Sequence, residues 1–196
     1  MITSSNASAR SMTIIMNNKK YRGDFFQRLK QLDVSVNPSM SMSLIELLKV
    51  NSTITSVNLF MNSIGDEGVR ALADALTVND TVTSVNLGDN FITDEGVGAL
   101  AEALKVNTTV TSVNLSHNSI GSEGTTLLSD ALKVNVTLTS IDLYNNSVGY
   151  EGVKALADTL KDNTTVTVLD LCGNSFSDEG VRAVIDALKV NSKIKF

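Results

Sequence analysis

The chain has 196 residues, 42% hydrophobic and 19% charged, which excludes disorder caused by low hydrophobicity and allows one domain with a buried core. Sixteen Lys and Arg against 21 Asp and Glu give a net charge of -5, which argues against nucleic-acid binding, because that needs clustered positive charge. Cys172 is the only cysteine, and no segment is apolar and long enough for a signal peptide or a membrane span. We therefore expect a cytoplasmic, soluble protein without membrane contact.

The N-terminal segment, residues 1–28, is expected to be partly disordered and to end in a helical cap. Residues 1–20 are rich in Ser and Asn. From Asp24 to Gln31 the pattern predicts a helix that packs Phe25, Phe26 and Leu29 against the structure that follows.

From residue 29 to residue 196 the sequence is repetitive. Its clearest marker is a threonine every 28 residues, at Thr55, Thr83, Thr111, Thr139 and Thr167. These threonines define five units, 54–81, 82–109, 110–137, 138–165 and 166–193, which follow a degenerate unit of 25 residues. A period of this length predicts a solenoid, in which stacked units share one core.

Each 28-residue unit has two halves with different hydrophobic periods. In the first half, Val57 and Leu59 alternate with residues outside the core, which predicts a strand with one buried face. In the second half, Val69, Leu72 and Leu76 recur at helical spacing and form one apolar stripe. One strand and one helix cannot bury these faces alone, so each unit is predicted to pack against the next.

Polar residues at fixed positions are predicted to close the turns. Asp66 and Glu67 are expected at the N-cap and first turn of the helix. One asparagine column follows the strands and is expected to bond unpaired backbone groups of the turn: Asn62, Asn90, Asn118, Asn146 and Asn174. A second column is expected to end the helices in the left-handed conformation: Asn79, Asn107, Asn135, Asn163 and Asn191.

A family resemblance is carried by the motif that runs through each unit. The motif reads apolar, two spacers, apolar, one spacer, apolar, two spacers and Asn, then Ile-Gly-x-Glu-Gly and a Leu-Ala-x-Ala-Leu helix, as in Ile64 to Leu76. It resembles the ribonuclease-inhibitor-type leucine-rich repeat, found in ribonuclease inhibitor, NOD-like receptor sensor regions, the Ran GTPase-activating protein and tropomodulin. The resemblance implies an α/β fold, a right-handed horseshoe solenoid with parallel strands on the concave face and helices on the convex face.

In that geometry the strand residues outside the core form the concave face. Columns such as Ser56, Ser84 and Ser112 are nearly uniform, whereas the columns that begin at Phe60 and Met61 vary strongly. Variable columns with aromatic side chains favour a specific binding surface. We therefore predict a scaffold or sensor that binds a partner protein through Phe60, Met61, Asp89, His117, Asp142, Tyr144, Asn145 and Asp170.

A catalytic or cofactor-dependent function is not expected. His117, the only histidine, can reach Asp89 on the neighbouring strand, but no serine or cysteine nucleophile completes a triad. One histidine and one aspartate are too few ligands for a metal site. The Gly65-x-x-Gly68 pair is part of the repeat turn, and no phosphate-binding loop is present.

Two alternative functions remain open at the level of sequence. The resemblance to the Ran GTPase-activating protein implies a regulator of a small GTPase, although no polar rim loop matches one. The apolar positions of the last helix, Val181, Val184, Ile185 and Leu188, favour a structural module that self-associates. We accordingly expect a monomer or weak end-to-end self-association.

Overall fold

The computed structural model describes residues 31–33 and 45–195. The strands are β1 (Gln31–Asp33), β2 (Ser56–Asn58), β3 (Ser84–Asn86), β4 (Ser112–Asn114), β5 (Ser140–Asp142) and β6 (Val168–Asp170). The helices are α1 (Gly65–Leu76), α2 (Asp94–Val106), α3 (Ser122–Leu132), α4 (Gly149–Leu160) and α5 (Asp178–Val190). The expected disordered segment and cap, residues 1–28, lie outside the described residues. Of the helix predicted from residue 24 to 31 only Gln31 is described, and it begins β1 instead.

The six strands form one parallel sheet in chain order, from β1 to β6. From β2 onward the register repeats every 28 residues, so that Ser84 lies between Ser56 and Ser112. Gln31 of β1 lies opposite Ser56. Neighbouring strands are about 4.8 Å apart, whereas packed helices need about 8–10 Å, so the stack curves with the strands inside. The expected α/β horseshoe solenoid, with concave strands and convex helices, is confirmed.

The core lies between the sheet and the helices. Val57 and Leu59 are fully buried in the strand half, and Val69, Leu72 and Leu76 are fully buried in the helical half. Equivalent residues of the following units join the same hydrophobic cluster, which confirms the two predicted halves. The helices have 11 to 13 residues, and within the described ranges none is long and apolar enough to cross a membrane.

The carboxylate of Asp66 stabilises the start of the following helix. Asp66 lies in the first turn of α1, as predicted, but α1 has no side-chain hydrogen bond at its N-cap. Asp66 Oδ1 instead accepts hydrogen bonds from the backbone N–H groups of Thr93 at 2.8 Å and Gly96 at 3.1 Å, in the next unit. Asp94 accepts the N–H of Gly121 at 2.6 Å in the next unit. The acidic residues of the helix starts therefore join consecutive helices.

The asparagine column at the helix ends differs from its prediction. The φ angle is −72° at Asn107 and −112° at Asn191, so the predicted left-handed conformation is wrong. Asn107 Nδ2 donates to the carbonyls of Leu76 at 2.8 Å and Asn79 at 3.2 Å, and its Oδ1 accepts the N–H of Val110 at 2.8 Å. Because the side chain satisfies the backbone groups of this turn, no left-handed residue is needed there.

The last described residues extend the edge of the sheet. Lys195 forms a parallel bridge with Val168, and its N–H donates to the carbonyl of Thr167 at 2.8 Å. On α5, Val181 and Ile185 are exposed. End-to-end association through this helix stays a prediction.

Candidate protein-binding surface on the concave face

The concave face consists of the side chains outside the core in residues 55–61, 83–89, 111–117, 139–145 and 167–173. Main-chain hydrogen bonds continue beyond the assigned strands: Met61 N donates to Gly88 O at 3.0 Å, and His117 N donates to Tyr144 O at 2.8 Å. These bonds keep equivalent residues in the 28-residue register, so they form straight columns. All eight residues predicted to bind a partner lie in these columns.

The column that contains Asp142 and Asp170 closes each strand with a side-chain hydrogen bond. Asp142 Oδ1 accepts the N–H of Tyr144 at 2.8 Å, and Asp170 Oδ1 accepts the N–H of Cys172 at 2.8 Å. In the preceding units the same bond is made by Asn58, Asn86 and Asn114. Since asparagine makes this turn equally well, the negative charge of the two aspartates is not required by the fold.

The asparagine column that follows the strands makes the predicted backbone bonds. Asn90 Nδ2 donates to the carbonyls of Leu59, Leu87 and Gly88 at 2.8–3.0 Å. Its Oδ1 accepts the N–H of Asn62 at 3.0 Å. Equivalent bonds are made by Asn118, Asn146 and Asn174. Because this column satisfies the backbone of the turn, the side chains one position earlier share no such structural task.

The residues one position before the asparagine column adopt a left-handed backbone. The φ angle is 56° at Met61, 55° at Asp89, 54° at His117 and 52° at Asn145. Asparagine, aspartate and histidine are enriched in this region, but methionine occupies it at a cost of about 1–2 kcal/mol. Met61, His117 and Asn145 are exposed, and Asp89 is half-buried. Backbone strain held at an exposed position is a reason to examine that position for function.

The ring of Phe60 lies over a glycine. A Cβ atom on Gly88 would be 2.9 Å from Phe60 Cδ2 and 3.1 Å from Ser116 Oγ. Any larger residue at position 88 would therefore displace the ring or the hydroxyl. The Phe60 side chain is nevertheless 40% exposed. Part of an aromatic ring is therefore held at the surface by its contact with Gly88.

Three of the predicted residues contact one another. The rings of His117 and Tyr144 meet edge to face, with centroids 5.0 Å apart and planes at 68°. Asn145 Nδ2 lies 2.9 Å from His117 Nδ1. The hydrogen bond that the sequence allowed between His117 and Asp89 does not form, because the imidazole contacts the strand of Tyr144 instead. His117 thus belongs to an aromatic contact rather than to an Asp–His pair.

The two candidate nucleophiles of this face lack an activating base. Ser116 is buried, and its Oγ donates to Asn114 Oδ1 at 2.7 Å. Cys172 is exposed, and a hydrogen bond with the Asp170 carboxylate raises the pKa of its thiol above the ordinary value. A raised pKa lowers the fraction of reactive thiolate. Within the described ranges, no group of three or more metal-ligating side chains is assembled.

Phe91 is an exposed aromatic residue that the sequence analysis missed. Its side chain is 68% exposed, and its φ angle is 59°. It follows Asp89 by two residues and lies in the turn at the edge of the concave face. The available signal was a departure from a uniform column, since the equivalent positions hold Ser63, Ser119, Ser147 and Ser175.

The charge of the concave face is negative. Its five stretches contain no Lys or Arg, and their carboxylates are Asp89, Asp142 and Asp170. A surface with charge of one sign attracts and orients groups of the opposite sign.

The sequence matches a family model described as Leucine Rich repeat over residues 50–73, 78–101, 106–129, 134–157 and 162–184. Together these segments cover more than half of the chain and follow the 28-residue period found above. No curated protein matches the sequence.

The fold is shared by solved structures, of which two are compared. Leiomodin-1 actin-binding site 2 is 26% identical in sequence with a TM-score of 0.65, over 81% of this chain and 91% of that chain. The tropomodulin C-terminal domain of Caenorhabditis elegans is 16% identical with a TM-score of 0.65, over 81% of this chain and 95% of that chain. At 16% identity the second likeness concerns the fold alone.

Proposed function

Because this chain belongs to the leucine-rich-repeat family, we propose that it binds another protein and that the concave face is the binding surface. The observation that carries the proposal is the contrast between two adjacent columns. The asparagine column makes the same backbone bonds along the solenoid, whereas Met61, Asp89 and His117, one position earlier, differ in every unit and hold a left-handed backbone. Phe60 and Tyr144, each 40% exposed, supply aromatic anchors. The proposal assigns the chain no catalytic activity.

We propose actin as the first partner to test. Support comes from leiomodin-1 actin-binding site 2, which is 26% identical to this chain over most of both lengths. An actin partner also implies a cytoplasmic location, which is part of the same proposal.

The test compares three proteins in co-sedimentation with filamentous actin and in binding to labelled monomeric actin. They are the natural chain, the double variant Phe60→Asp/Tyr144→Asp, and the control Val106→Asp. Val106 is exposed at the end of α2, so the control places a new charge on the helical side. We expect the double variant to bind at least about tenfold more weakly, because aromatic anchors dominate many interfaces. The control should bind as the natural chain does.

Thermal unfolding of all three proteins checks that the substitutions act on binding and not on folding. Midpoints within about 2 °C of one another are expected for exposed substitutions. Unchanged binding by the double variant, or loss in Val106→Asp alone, would contradict the concave assignment. If neither form of actin binds, the same three proteins serve as baits in native lysate, with mass spectrometry identifying what only the double variant loses.

A further inference from the structure

We infer that the concave face recognises an arginine-bearing segment of its protein partner, whose guanidinium groups stack on Tyr144, His117 and Phe60 and pair with Asp142 and Asp89. The inference rests on the proposed function and specifies the chemistry of the bound segment. Charge, aromatic surface and hydrogen-bonding capacity on the concave face each contribute one step.

The first step is the charge of the face. Asp89, Asp142 and Asp170 lie in its columns, and no Lys or Arg lies in residues 55–61, 83–89, 111–117, 139–145 or 167–173. On the helices, in contrast, lysines pair with nearby acids, as Lys105 does with Glu102. Lys195 extends the edge of the sheet beside Val168, but among the described residues it forms no ion pair with these carboxylates. A cationic segment therefore supplies a partner that the described chain does not.

The second step is the aromatic surface. Phe60 rests on Gly88 and remains 40% exposed. Tyr144 is also 40% exposed, and its edge-to-face contact with His117 covers at most one face of one of the two rings. Part of each aromatic residue is thus open to solvent, and Tyr144 follows Asp142 by two residues on the same face of the sheet. A cation above a ring face is attracted by the negative electrostatic potential of the ring.

The third step distinguishes arginine from lysine. Asp142 Oδ1 accepts the N–H of Tyr144, and no hydrogen bond from the described chain reaches Oδ2. A carboxylate with an unoccupied oxygen beside an aromatic ring fits a planar guanidinium, which stacks on the ring and donates several N–H bonds in its own plane. An ammonium group can pair with the carboxylate but cannot stack in this way.

The chain itself supplies a charge series for the test. Asn58, Asn86 and Asn114 occupy the column of Asp142 and make the same turn bond, so Asp142→Asn/Asp170→Asn removes two charges while keeping the turn. Asn114→Asp adds one charge to the same column. Tyr144→Leu removes the stacking surface. Asp74→Asn, on the exposed face of α1, is the control for loss of charge elsewhere.

His117 gives a direct readout, because it is the only histidine of the chain. Its ring protons are followed by NMR at pH 8 during titration with a peptide of Gly and Ser that carries two arginines. Matched peptides carry two lysines or two glutamates. We expect the arginine peptide to shift the ring signals and to bind more tightly than the lysine peptide, by up to about two- to fivefold, because an ammonium also gains part of the value of an exposed cation–π contact. The glutamate peptide should give no shift.

The variants should change the affinity for the arginine peptide in opposite directions. Asp142→Asn/Asp170→Asn and Tyr144→Leu weaken it, Asn114→Asp tightens it, and Asp74→Asn leaves it unchanged. Binding of the glutamate peptide, equal affinity for lysine and arginine, or an unchanged affinity in Tyr144→Leu would each overturn the inference. If Phe60→Asp/Tyr144→Asp loses partner capture but the charge series does not change it, the concave face binds a protein without recognising arginine. That result would support the proposed function and overturn this inference.

Discussion

The helical and concave sides of this solenoid have the same 28-residue period but differ in what they repeat. On the helical side, five lysines pair with an acid three residues earlier: Lys49–Glu46, Lys105–Glu102, Lys133–Asp130, Lys161–Asp158 and Lys189–Asp186. On the concave side, the equivalent residues Phe60, Gly88, Ser116, Tyr144 and Cys172 share no property. This ion pair recurs in five of the six units, and the unit 54–81 holds Thr77 in place of the lysine. The concave residues can vary because the asparagine column beside them already bonds the backbone of the turn.

The sharpest form of this contrast lies between two adjacent residues. Asn90 is buried and bonds five backbone groups, while Asp89 is half-buried and its side chain makes no such bond within the described chain. A column holds the same residue in each unit where the side chain must bond the backbone. In the next column no such bond is needed, so the residues can differ from unit to unit and are available to contact a partner.

The largest expected effect comes from breaking the uniform column. Asn90→Ala should lower the free energy of unfolding by about 3 kcal/mol or more, because several buried donors and acceptors lose their partner at about 1–3 kcal/mol each. Asp89→Asn, which keeps a residue suited to the left-handed region, should change stability by less than about 0.5 kcal/mol. Urea denaturation of both variants measures the difference. Equal losses would mean that the two columns are not distinct.

A smaller change in the free energy of unfolding, an increase, is expected in the variable column that contains Met61. Met61→Asn should raise the free energy of unfolding by up to about 1 kcal/mol, since asparagine tolerates a φ angle of 56° better than methionine does. The same variant should weaken partner capture, because an exposed apolar contact is removed. Met61→Leu is the matched control and should leave stability unchanged. A destabilised Met61→Asn would show that the methionine side chain has a structural task.

The smallest effect is expected on the helical side and depends on pH. Hydrogen bonds from Lys154 and then Lys161 hold the pKa of Asp158 below its ordinary value of 3.8. Because the folded-state pKa is lowered, this contribution is present above the unfolded pKa and is lost as the pH falls through the folded pKa. Solvent screening of these half-exposed side chains limits the contribution to less than about 1 kcal/mol.

Urea denaturation of the natural chain and of Asp158→Asn at pH 7 and pH 3 measures that contribution. The variant should be the less stable protein at pH 7, and the difference in stability should be smaller at pH 3. Asp74→Asn, whose carboxylate has no ion pair among the described residues, is the control. A larger gap at pH 3 than at pH 7 would contradict the assignment.

Much of the proposed binding surface was predictable because the period fixes which residues share a column. Phe60, Met61, His117 and Tyr144 are exposed on the concave face as predicted. Phe91 was not predicted, since it lies in the turn that follows the strand columns. Which side chains touch was not predictable: the imidazole of His117 meets Tyr144 and Asn145 and not Asp89.

The sequence by itself determined the repeating unit, the strand and helix of each unit, and the asparagine column that bonds the turn. These follow from local periodicity and from the need to pair every buried backbone group. Only the tertiary structure decided the contacts between units. The Asp66 carboxylate bonds the next helix, and Asn107 bonds the preceding unit instead of adopting a left-handed backbone. Such contacts depend on how far and at what angle each unit is displaced from its neighbour, and a one-dimensional period carries no information on that displacement.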